Sequence, residues 1–190
     1  MRRLSTTILV LALLASLPVG AKEKKDKGPP ADEFTATYVN MGGPGVVGDP
    51  ASAFIRIEAY TSNDEALALR NVLREQGQKA LSDLLYKNKN GFLRAGGSLG
   101  QNLGAVRRFE TDKETVILAI LPRPVTGFEI REGLRSQDYP FGFIELRLDK
   151  EGNGEGQLIA AAQITIDPGG KVEVESLGTQ PIRLMNVKKR

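Results

Sequence analysis

The sequence contains no histidine and no cysteine. Without histidine it cannot build a Ser-His-Asp or Cys-His catalytic site, a histidine general base, or an ordinary zinc or copper site. Without cysteine it has no disulfides, and the 169 residues that follow residue 21 are enough to bury a core without them. Any catalysis would therefore depend on carboxylates, lysine, tyrosine, serine or a bound cofactor.

Long apolar runs are also scarce, and the longest lies near the start of the chain. Ile8 to Leu17 is a largely apolar run of ten residues, preceded by Arg2 and Arg3 and followed by the small residue Ala21. This layout predicts a secretory signal peptide over residues 1–21. A transmembrane helix needs about 20 apolar residues, so no membrane-spanning segment is expected after cleavage. We therefore expect an exported, soluble protein of the periplasm or the extracellular medium.

Charge is nearly balanced over the chain and unevenly distributed along it. The net charge is +3, and +1 once residues 1–21 are removed. Residues 22–27 carry +2 and residues 188–190 carry +3, which leaves 28–187 at −4. We interpret these segments as two basic, solvated tails on a mildly acidic body. A nucleic-acid-binding protein gathers basic residues on a folded face, and because the sequence shows no such cluster we expect no nucleic-acid partner.

The remaining pattern predicts one α+β domain over residues 34–190. Residues 22–33 are charged and then rich in proline and glycine, which is typical of a flexible tether. An amphipathic helix is predicted over about 63–88, with a capping box from Ser62 to Glu65 and a bend at Gly77.

Alternating and continuous apolar runs predict about seven to nine short strands around that helix. They indicate a single antiparallel sheet, connected as a meander and packed against one long helix. Residues 41–50 are rich in glycine and proline, so we expect a loop there. In the strand at 141–149 we expect Ile144 to point inward and Glu145 outward.

A glycine-rich stretch at 92–109 is the first candidate site. It lacks the Gly-Lys-Ser/Thr of a nucleotide-binding loop and no predicted helix follows it, so a mobile turn is the main interpretation. The alternative is a loose anion site in which Arg94, Arg107 or Arg108 supplies the charge.

The second candidate is the stretch 149–156. Asp149, Glu151, Asn153 and Glu155 place an oxygen-bearing side chain at alternate positions, as in the first half of a calcium loop. The twelfth position is Ala160, where such a loop has a bidentate glutamate, and the flanks are predicted strands. A hairpin turn without metal is therefore the main interpretation, and calcium is the only cofactor the sequence suggests.

The third candidate is the stretch 127–143, which mixes acids, arginines and aromatic residues in a predicted loop. Such residues suit a recognition surface, although arginine–carboxylate pairs that only fix the shape of the loop are the main interpretation. The candidate ligand-binding residues are Glu129, Arg131, Arg135, Asp138 and Tyr139.

Two classes of function stay open at this point. The first is a non-catalytic binding module of the bacterial envelope, whose partner is an envelope protein or a glycan. The second is a histidine-free hydrolase of envelope carbohydrate, which would need two acids to converge across a pocket, from Glu129, Glu132, Asp138 and Glu145. A calcium-dependent structural module is a third possibility that depends on residues 149–156 alone.

Overall fold

Ten strands and one helix form the part of the chain that the structure describes. The structure is a computed structural model, and it describes residues 32–41, 47–96, 100–125, 138–167, 170–176 and 181–190. The elements are β1 (Asp32–Met41), β2 (Val47–Ile57), α1 (Asn63–Lys87), β3 (Gly91–Ala95), β4 (Gln101–Asn102), β5 (Ala105–Glu110), β6 (Thr115–Leu121), β7 (Phe141–Leu148), β8 (Asn153–Ile166), β9 (Val172–Ser176) and β10 (Ile182–Lys189).

All strand pairs are antiparallel and belong to one sheet, with the order β4-β3-β2-β1-β10-β8-β7-β6-β5 and β9 beside β8. Strands β1 to β4 pair in chain order, as do β5 to β8, and β10 joins the two groups by lying between β1 and β8. The sheet curls, because residues 103–104 link β4 and β5 at the two ends of the order. The predicted α+β class is confirmed, with a sheet connected as two meanders bridged by β10.

Helix α1 begins and bends where the sequence predicts. The Ser62 side chain accepts from the amide of Glu65, and the Glu65 side chain accepts from the amide of Ser62, so the capping box is complete. Gly77 breaks the helical backbone with φ +81° and ψ −176°. The helix buries one apolar stripe, which includes Leu69, Leu73 and Leu81.

The curled sheet separates two apolar cores. One lies inside the curl and includes Phe34, Ile55 and Leu146. The other lies between the outer face of the sheet and α1 and includes Leu81 and Phe143. In the described part of the chain, α1 is the one helix and packs on β5 to β9, so no described helix covers the outer face of β1 to β3.

A bulge in β8 corrects the predicted alternation of that strand. The sequence predicts that Leu158 and Ala162 share a face, but Leu158 lies in the inner core and Ala162 in the core beneath α1. The register with β7 shifts by one residue between Phe141 and Phe143. Because side chains alternate with a period of two, one extra residue moves all later side chains to the other face.

Three predicted boundaries also differ from the structure. Strand β1 begins at Asp32, inside the predicted tether, and β2 begins at Val47, inside the predicted loop 41–50. The basic residues 188–190 are not a solvated tail, since β10 runs to Lys189 and the amide of Arg190 donates to the carbonyl of Glu33. Among the residues described, no helix is long and apolar enough to span a membrane.

Candidate functional site

The uncovered outer face of the sheet carries a row of side chains from four strands. Arg94 on β3 pairs with Phe54 on β2, Phe54 pairs with Thr35 on β1, and Thr35 pairs with Lys188 on β10. Directly paired residues point to the same side of an antiparallel sheet. The register therefore places a cation at each end of this row.

A cleft of about 380 Å³ opens beside the row. Among the described residues, its lining contains two guanidinium groups, three neutral polar side chains and one aromatic ring, and no carboxylate side chain. These residues are Arg94 and Arg190, Thr35, Ser52 and Asn186, and Phe54. We call this feature the Arg94–Arg190 cleft.

The backbone at the rim of the cleft is unusual at Asn186. Its φ of +52° makes it the one non-glycine residue with a positive φ in the described ranges. The pairing of β10 shifts by one residue on both sides of this position, toward β1 and toward β8. Asparagine tolerates the left-handed region better than most residues, and such backbone conformations cluster at ligand sites.

Among the described residues, the charged ends of the two cleft arginines have aromatic rings rather than carboxylate side chains as neighbours. Within the described part of the chain, Arg94, Lys188 and Arg190 form no ion pair with a carboxylate side chain. The Arg94 guanidinium lies 5.8 Å from the ring centre of Phe92, and that of Arg190 lies 6.0 Å from the ring centre of Phe54. These contacts hold the guanidinium groups near the surface and leave their charge unopposed.

The fourth cation on this face is paired. Arg56 lies 3.1 Å from the carboxylate of Glu33 and 3.5 Å from that of Glu58. The free positive charge of the face is therefore concentrated at the Arg94–Arg190 cleft and at Lys188.

The other two arginines of the predicted anion site lie elsewhere. Arg107 is buried, and it donates to the carbonyl of Thr61 at 2.9 Å and to the side chain of Asn63 at 2.6 Å, next to the start of α1. Burial lowers the pKa of Arg107. Arg108 points to the opposite side of β5, where it contacts Asp32 and Glu110. Of the three predicted residues, Arg94 alone lies in the cleft.

Asp32 lies at the centre of a buried polar cluster that joins separate parts of the sheet. Its carboxylate lies 2.7 Å from Lys189 Nζ and 3.3 Å from Arg108 Nη1, and it accepts from the hydroxyl of Tyr60 at 2.5 Å. Burial alone would raise the pKa of Asp32, but the hydrogen bonds from Lys189 and Tyr60, together with the positive charges of Lys189 and Arg108, outweigh burial and lower it. Burial and the bond to Asp32 raise the pKa of Tyr60. A protonated phenol bound to a carboxylate suits structural closure of the sheet better than proton transfer.

Most of the candidate ligand-binding loop lies outside the described residues, including Glu129, Glu132, Arg131 and Arg135. Asp138 is exposed and Tyr139 is half-buried just before β7. Neither of them lines the Arg94–Arg190 cleft.

Glu145 corrects a sequence prediction, because it is 5% exposed rather than pointing into solvent. Its carboxylate accepts from Arg147 Nε at 2.6 Å and from Gln157 Nε2 at 2.9 Å. Arg147 lies two residues along the same strand and Gln157 lies on the adjacent strand β8, and together they satisfy the carboxylate that the alternation pattern places on an exposed face.

The calcium candidate forms a hairpin turn between β7 and β8. Asp149 accepts from the backbone amides of Glu151 at 3.0 Å and Asn153 at 2.8 Å, and Glu155 lies 3.4 Å from Arg183 on β10. Across the described ranges, no three acidic side chains lie close enough together to hold a metal ion. The carboxylate of Asp149 is therefore used by its own turn.

Sequence reasoning missed four polar residues of the cleft and its aromatic ring: Thr35, Ser52, Asn186, Arg190 and Phe54. Arg190 belongs to residues 188–190, which the sequence predicts to be a basic, solvated tail. Its charge was therefore recognised, but its place in the cleft was not predicted. Comparison with known proteins adds no relatives, since no family model, no curated protein and no solved structure matches this chain.

Proposed function

We propose that this chain is an exported, non-catalytic binding module of the bacterial envelope, and that it holds an anionic ligand in the Arg94–Arg190 cleft. The observation that carries the proposal is the pair of guanidinium groups in a cleft whose described lining contains no carboxylate side chain. Arginine presents a planar set of donors that matches a carboxylate or phosphate group. Because neither guanidinium has an acidic side chain as partner among the described residues, those donors are available to a ligand.

The distribution of charge along the chain also supports an anion-binding site. Residues 28–187 carry a net charge of −4, yet the cleft and the adjacent Lys188 carry unpaired positive charge. A local field of opposite sign to the body attracts anions to one place on the surface. The missing histidines and the absence of acidic side chains from the described lining of the cleft argue against hydrolysis at this site.

Thermal unfolding of the purified protein with and without inorganic phosphate or citrate tests the proposal. A ligand at 100 times its dissociation constant stabilises by about 2.7 kcal/mol, which corresponds to a rise of several degrees in Tm. We expect this rise in Tm for the wild type, and a smaller rise at high salt because salt screens the charges. The double variant Arg94→Ala/Arg190→Ala should show no rise. An equal rise in the double variant would contradict the proposal.

Arg74→Ala is the matched control for this experiment. Arg74 lies on α1 with 58% of its side chain exposed, and its contacts are with the neighbouring Asn71 and Glu75. Its removal changes the net charge of the protein by one unit, as each cleft substitution does. Retention of the ligand-induced shift in Arg74→Ala would therefore separate a specific site from general attraction to a cationic protein.

A further inference from the structure

We infer that the ligand of the cleft is an acidic saccharide, meaning a sugar that bears a carboxylate or phosphate group. This inference depends on the proposed function and names its ligand class. The cleft combines two kinds of recognition in one small volume: charged donors from Arg94 and Arg190, and neutral hydroxyl and amide groups from Thr35, Ser52 and Asn186. A simple anion needs only the first kind.

The neutral polar groups of the cleft are available to a ligand. The side chains of Thr35, Ser52 and Asn186 form no hydrogen bond with another protein group within the described residues. Hydroxyl and amide groups both donate and accept, which suits the hydroxyl groups of a sugar. Because Ser52 pairs with Thr37 on β1 and Thr35 pairs with Phe54, these groups lie on neighbouring strands of a rigid sheet.

The size and the apolar content of the cleft further restrict the class of ligand it can bind. A volume of about 380 Å³ is at the small end of the range for ligand sites. The aromatic ring in the lining, Phe54, has the Arg190 guanidinium at 6.0 Å and the tilted ring of Phe92 at 5.7 Å. With its ring occupied by these neighbours, Phe54 is a poor stacking platform for a nucleobase. The two alanines of the lining, Ala36 and Ala53, bury their side chains in the inner core, so the described lining offers no aliphatic side chain to an acyl chain.

Calorimetric titration of the purified protein with five probes tests the inference. The probes are glucose 6-phosphate, inorganic phosphate, glucuronic acid, glucose and AMP. We expect each acidic sugar to bind at least about tenfold more tightly than glucose, because a charged hydrogen bond is worth about 1.5–3 kcal/mol. We also expect glucose 6-phosphate to bind more tightly than phosphate and AMP. Phosphate binding equal to that of glucose 6-phosphate, or tighter binding of AMP, would overturn the saccharide inference.

Variants separate this inference from the proposed function. Arg94→Ala should weaken glucose 6-phosphate and phosphate alike, by about tenfold. Ser52→Ala and Asn186→Gly should weaken the sugar and leave phosphate unchanged, and Arg74→Ala should change neither. If phosphate binding depends on Arg94 but Ser52 and Asn186 do not affect the sugar, the cleft is an anion site and the saccharide inference is wrong. If no probe binds, both proposals are wrong.

Discussion

Lys189 and Asp32 form an ion pair of 2.7 Å that fastens the end of β10 to the beginning of β1. Arg108 and Tyr60 reach the same carboxylate from β5 and from the segment that follows β2. A single buried acid therefore connects strands that lie far apart in the strand order of the curled sheet. We therefore expect Asp32 to stabilise the closure of the curled sheet, and its contribution to the free energy of unfolding to depend on pH.

Asp32→Asn should destabilise the protein by about 2 kcal/mol at pH 7, because it removes the buried carboxylate that accepts from Tyr60 and pairs with the partly exposed Lys189 and Arg108. The pKa of Asp32 is lowered in the folded state from its ordinary value of 3.8. Its contribution is therefore present above pH 3.8 and is lost as the pH falls below that value through the folded pKa. Urea unfolding at pH 7 and pH 2.5 would measure the free-energy difference between wild type and variant, which should shrink in acid.

Glu33→Gln provides the control for this prediction. Glu33 is the next residue of β1, points to the outer face and pairs with the partly exposed Arg56. Its removal should cost less than about 1 kcal/mol. If Asp32→Asn costs no more than Glu33→Gln at pH 7, the closure role assigned to Asp32 is wrong.

Tyr60→Phe tests the alkaline side of the same cluster. The pKa of Tyr60 is raised above its ordinary value of 10.0, so the unfolded phenol ionises first as the pH increases. The wild type should therefore lose stability above pH 10, and the variant should lose less over the same range. At pH 7 the variant should be about 1 kcal/mol less stable than wild type, because the bond to Asp32 is lost. Parallel stability curves between pH 9 and pH 11.5 would contradict this account.

The sequence predicts local features of this fold well. The capping box at Ser62 and the bend at Gly77 each depend on residues close together in the chain, and each is confirmed. Features that depend on distant partners were missed. The alternation around Glu145 indicates an exposed acid, and its burial depends on Arg147 together with Gln157 from the adjacent strand.

The candidate site depends even more on residues that are distant in the sequence. Arg94 was identified from its position beside a glycine-rich stretch, but its partner in the cleft is Arg190, almost a hundred residues away. The two meet because β10 returns to pair with β1, and sequence patterning alone does not predict that strand order. The one-residue shift at Asn186 likewise depends on pairing with two other strands.

Gly104→Ala and Gly77→Ala should both destabilise the protein, for different physical reasons. A Cβ at position 104 would lie 2.7 Å from both the Cβ and the carbonyl oxygen of Leu85, at the end of α1. Because one of these atoms is backbone, the helix end or the link between β4 and β5 must move, at a cost of about 1–3 kcal/mol. A Cβ at position 77 has nothing within 4 Å, so it meets only the strain of a backbone conformation that is essentially restricted to glycine, about 1–3 kcal/mol. Thermal unfolding of the two variants measures both effects, and wild-type stability of Gly104→Ala would be evidence against this packing.

A residue-resolved NMR titration of the purified protein with glucose 6-phosphate tests the central claim most directly, because it locates binding as well as detecting it. We predict that the largest amide shifts lie at residues 35–36, 52–54, 94–96 and 186–190, and that Arg94→Ala weakens the response. Largest shifts along α1, or at residues 138–141 before β7, would contradict the assignment of the Arg94–Arg190 cleft as the binding site.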